Sequence, residues 1–126
     1  MIEVAATIAV ALLIALGVFQ LLLVFGVPLG RFAWGGSHNV LPAKLRAASA
    51  VSIVLYALFA IIILEAAFMT SLVADDSPEN IWIWVLFGYF TVGVVMNAIS
   101  RSKSERNLMT PVAALLAVAC LIVALQ

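Results

Sequence analysis

Charge is scarce in this sequence. Aspartate, glutamate, lysine and arginine supply only 10% of its 126 residues, against about 25% in soluble domains. So few charges cannot cover the surface of a water-soluble fold of this size. Cysteine and histidine are scarcer still, with one of each, Cys120 and His38. A lone cysteine excludes a C-x-x-C redox pair, and no grouping of Cys, His and acids has metal-ligand spacing. No metal or other cofactor is expected. Gly35-Gly36-Ser37 is too short for a phosphate-binding fingerprint. Asp75 and Asp76 read as a solvated loop pair, and no basic helix suits nucleic acid. The chain is therefore read as a non-enzyme.

What the sequence has instead is apolar length. Hydrophobic residues make up 67% of it, gathered into four runs at about 4–27, 43–73, 81–100 and 108–125. A helix needs roughly 20 apolar residues to cross a hydrocarbon core of about 30 Å. Lipid cannot satisfy free backbone amides and carbonyls, so such runs must be helical. A closed barrel would need alternating strands of about ten residues, and that alternation is absent. The expectation is one all-α domain over 1–126, a polytopic membrane protein built as a four-transmembrane-helix bundle. The first run has only Glu3 before it and is too long for a signal peptide, so it is read as a retained span. Ile2 follows Met1, so no myristoylation is expected.

The charges then sort by loop. Arg31, Lys44 and Arg46 lie in or beside the first loop, and Arg101, Lys103 and Arg106 in or beside the third. These are all six basic residues of the chain. The second loop carries Asp75, Asp76 and Glu79 with nothing positive. Because Lys and Arg collect on the cytoplasmic side, both termini are expected outside, N-out/C-out, in a multi-pass protein of the cytoplasmic membrane. Trp82 and Trp84 then fall at the outer interface and Trp34 at the inner one.

Helix starts are legible too. Ser77-Pro78-Glu79 supplies a capping serine, a first-turn proline and an acid. Two starts compete for the fourth helix. Ser102 and Glu105 have capping-box spacing, which would leave Pro111 inside the helix. Thr110 as the cap would make Pro111 the first residue, and this start is favoured although it leaves a short helix.

Within the spans polar residues are few. On helix two, Ser49, Ser52, Tyr56, Ala60, Ile63 and Ala67 recur at three- and four-residue steps, a small and polar face that should point into the bundle. Gln20 and Asn97 lie at similar depth on helices one and three, so a Gln20–Ser52–Asn97 cluster is expected, chiefly as interhelical glue. Glu65 falls on the opposite side of helix two with Val54, Leu58, Ile61 and Met69. An ionised carboxylate facing lipid there would cost a few kcal/mol. It reaches outward toward the acidic loop, meets an oligomer interface, or serves proton-coupled transport.

The first loop is the best candidate surface. Arg31, Trp34, Gly35, Gly36 and His38 lie beside Lys44, Arg46 and the start of helix two. Glycine amides, a helix N-terminus and guanidinium groups suit an anionic headgroup or phosphate.

The blocks "PLGRFAWGGSHNVLPAKLRAAS" and "VVMNAISRSKSERNLMTPVAALL" resemble those of small uncharacterised four-helix bacterial membrane proteins. The shared features are a G-R-x-A-W-G-G loop, an L-P-x-x-L-R helix start and an M-N-x-x-S-R-S-x-x-E-R turn. The resemblance implies a bacterial cytoplasmic membrane and the same fold, and it carries no catalytic residue. The function expected is binding of anionic membrane lipid, or of a membrane partner, through the basic loops. A small proton-coupled transporter using Glu65, assembled from several copies, is the alternative.

Overall fold

The computed structural model describes residues 1–67 and 81–125. Four α-helices account for most of them: α1 Ile2–Val24, α2 Ala43–Ala66, α3 Ile81–Ala98 and α4 Lys103–Ala124. At 1.5 Å per residue these measure about 27–36 Å, and each is long and apolar enough to cross a membrane. The protein is an all-α, multi-pass membrane bundle. The expected cap at Ser77-Pro78-Glu79, the acidic residues Asp75 and Asp76, and Met69 lie outside the described residues.

α1 packs against α2 and α4, and α4 against α1 and α3, whereas α2 touches α3 and α4 only slightly. Around the bundle the order is therefore α2, α1, α4, α3. Small residues explain the close pairs. Ala5, Ala6 and Ala9 on α1 and Ala113, Ala117 and Cys120 on α4 are buried, and small side chains let helix backbones approach in lipid. Leu13, Ile63, Leu86, Phe90 and Leu116 complete this core. A second, smaller cluster of Leu23, Ala33 and Leu41 seals the end that carries loop 25–42. Val4, Ile14, Val54, Leu58, Val92 and Val118 stay exposed, as an apolar solvent outside the bundle requires.

The anticipated inward face of α2 is present. Ser49, Ile63 and Ala67 are buried and Ser52, Tyr56 and Ala60 partly so, while Val54 and Leu58 point away. α1 stops at Val24, short of the expected 27. Val27 donates its N–H to Leu22 O at 3.0 Å and Gly26 to Leu23 O at 3.1 Å, the Schellman arrangement. Gly26 supplies the left-handed residue that this ending needs, with φ +87°.

The start of α4 corrects the preference for Thr110. The helix begins at Lys103, runs through Pro111, and is capped by Ser102, whose Oγ accepts from Glu105 N–H. Proline inside the helix forfeits the amide that would meet the Asn107 carbonyl. Two further turns of helix and a cap that also binds the first loop outweigh that one missing bond.

Candidate functional site

Loop 25–42 folds over one end of the bundle through two single-turn 3-10 helices, Gly30–Phe32 and Trp34–Gly36. Its close fit depends on glycine. Gly30 donates to Asn39 O at 2.8 Å, and a Cβ on Gly30 would overlap the His38 carbonyl oxygen. Trp34, Gly35 and Gly36 follow one another at φ +52°, +78° and +73°. This left-handed run lets the otherwise exposed Trp34 indole reach inward with its N–H, which donates to Ser49 Oγ at 3.1 Å. Ser49 is wholly buried, so its hydroxyl needs that partner.

The same run meets the start of α4. Gly35 N–H donates to Glu105 Oε2 at 3.4 Å, and Glu105 is only 8% exposed. The Ser102 hydroxyl donates to the Arg31 carbonyl and accepts from Glu105 N–H at 3.3 Å. Only half of a capping box forms. Ser102 N–H turns to Ser100 Oγ at 3.2 Å, and the Glu105 carboxylate is left for the loop. The two basic loops thereby become one surface, with Arg31, Arg101 and Lys103 exposed around the Ser102 junction.

The residues suggested for anion binding divide accordingly. Arg31, His38 and Lys44 are exposed, with the Arg31 guanidinium 4.8 Å from the Phe32 ring centroid. Trp34 and Gly35 spend their N–H donors on Ser49 and Glu105, and Gly36 lies against Ser102. Arg46 donates Nε–H to Val24 O at 2.8 Å, a cation on the C-terminal carbonyls of α1. Sequence reasoning missed that Glu105 is the anion held by the Gly35 amide. Its capping-box spacing flagged the helix start, but spacing alone could not assign the carboxylate to a residue so far away in the chain.

Above this platform lies a cavity of about 650 Å³, walled by all four helices. It occupies the side where α2 and α3 diverge. Tyr89 and Phe90 line one end, both in ring contact with Phe59 at 5.1 and 5.8 Å. Trp34, Gly35 and Glu105 line the other. Gln20, Ser52 and Asn97 all line it, so the expected cluster does share a space, although its members do not bond one another. Gln20 Nε2 donates to Tyr56 Oη at 3.4 Å, Ser52 to Ala48 O at 3.1 Å, and Asn97 to Gly93 O at 2.8 Å.

Compared with known protein families, curated proteins and solved structures, the chain matches none. Glu65 is half-buried near the other end of α2 and is not part of the cavity wall. Among the described residues no group of His, Cys, Asp and Glu could hold a metal ion.

Proposed function

We propose that this protein is a non-enzymatic lipid-holding bundle of a bacterial cytoplasmic membrane, with both termini outside and its basic end in the cytoplasm. The end formed by loop 25–42 and turn 99–102 binds anionic headgroups. One observation carries the reading: the Ser102–Arg31 bond, which draws the cations of two separate loops onto one surface. Glu105 is buried and engaged by Gly35, and its single charge is outnumbered there by Arg31, Arg101 and Lys103, which leaves that surface positive. Each Lys or Arg near an anionic leaflet contributes about 1 kcal/mol to its attraction.

The test is native mass spectrometry of protein released gently from its membrane. Wild type should retain anionic lipid. The triple variant Arg31→Gln, Arg101→Gln, Lys103→Gln should lose it, and unchanged retention would overturn the proposal.

A further inference from the structure

The cavity holds an observation that the basic platform does not use. Gln20 is 7% exposed and lines the cavity. Its amide nitrogen donates to Tyr56 Oη, while Oε1 finds no hydrogen-bond partner among the described residues. A buried carbonyl oxygen without a donor is costly, more so at membrane depth, where lipid supplies none. Tyr56 compounds this. Its oxygen accepts from Gln20, so its own O–H proton remains to be donated.

These two groups together describe what would satisfy them. Gln20 Oε1 needs a donor and Tyr56 O–H needs an acceptor. A hydroxyl is both at once. Reversing the Gln20 amide would exchange these roles and leave an N–H that an ether could also satisfy, so a preference for the hydroxyl reads out the orientation with Oε1 unpaired.

The rest of the wall narrows the class. Phe19, Tyr56, Tyr89 and Phe90 present aromatic surface, and Met109 and Leu116 add apolar surface. Rings pack well against such walls, face to edge or offset. Glu105 at the loop end disfavours an anionic occupant by like-charge repulsion. A volume of about 650 Å³ lies within the roughly 300–1,000 Å³ usual for small-molecule sites. Exposed Val92 and Met96 belong to the wall, so the space communicates with the lipid side of α3.

We propose that the cavity between α2 and α3 binds a neutral apolar molecule of the phenol or hydroquinone class, its hydroxyl donating to Gln20 and accepting from Tyr56. This site is separate from the basic platform, and either can fail alone.

The experiment uses a matched pair of probes, 4-hexylphenol and its methyl ether 4-hexylanisole. Each is titrated into full-length protein in nanodiscs and corrected for partition into empty nanodiscs. Wild type should bind the phenol saturably and about tenfold more tightly than the ether, the usual scale of leaving one buried acceptor unpaired. Gln20→Met should bring the two affinities within about twofold while the ether still binds. Tyr56→Phe, which keeps the ring, should weaken the phenol several-fold and serves should Gln20→Met not fold. Equal wild-type affinities would mean that water serves Gln20 as well as any ligand, and would overturn the proposal. Saturable binding of neither probe, or a preference that survives Gln20→Met, would overturn it too.

Discussion

The Glu105 carboxylate accepts the backbone N–H of Gly35, seventy residues earlier in the chain. Three residues beyond the Ser102 cap, this contact closes the basic end of the bundle. Glu105 sits in the first turn of α4 with its own amide capped by Ser102, and Ser102 in turn holds the Arg31 carbonyl. A single helix start thus grips the first loop twice. The loop has little regular structure, and near lipid its backbone groups need donors and acceptors from the protein itself.

Removing the carboxylate tests that grip. Glu105→Ala should lower stability by about 1–3 kcal/mol, because Gly35 N–H loses its acceptor. Glu105→Gln keeps an acceptor oxygen and should cost less. Unfolding followed by SDS titration in detergent micelles compares them. Equal losses would show that charge, and not the hydrogen bond, holds the loop.

Glycine substitutions should separate by position. At Gly36, φ is +73° and an added Cβ would overlap Ser102. Gly36→Ala should therefore cost about 2 kcal/mol or more, from left-handed strain together with steric overlap. Gly88 lies within α3 with nothing within 4 Å of an added Cβ. Gly88→Ala should be neutral or stabilising by up to about 1 kcal/mol. A neutral Gly36→Ala in the same unfolding assay would contradict the tight loop packing.

Trp34 and Ser49 should be coupled. Their hydrogen bond of 3.1 Å joins the loop to the second turn of α2. A double-mutant cycle of Trp34→Phe and Ser49→Ala should give an interaction energy of about 0.5–1.5 kcal/mol. Additive losses would mean that Trp34 acts through its ring alone.

Arg46 should prove structural. Its Nε–H meets Val24 O at 2.8 Å, where the α1 carbonyls gather partial negative charge. Arg46→Gln should destabilise by roughly 1 kcal/mol and leave anionic lipid bound, in contrast to the triple variant at Arg31, Arg101 and Lys103. Loss of lipid from the stable Arg46→Gln protein would place this guanidinium among the headgroup contacts.

Much of the architecture follows from sequence alone, because a membrane leaves the chain few choices. Four runs of apolar residues must become helices of spanning length, and the inward face of α2 is written in small and polar residues at helical steps. The gathering of all the basic residues beside two loops is equally plain from Arg31 to Arg106. What the sequence could not convey is which helices become neighbours. That α1 and α4 pack together while α2 and α3 diverge depends on shape matching between faces that are mostly apolar, and periodicity marks an inward face without naming its partner. The cavity with Gln20 and Tyr56 follows from that arrangement. So do the longer α4, the Arg46–Val24 contact and the Gly35–Glu105 bond. Each forms between residues more than twenty positions apart, or needs such a contact to tip a local balance, and the tertiary structure alone decides it.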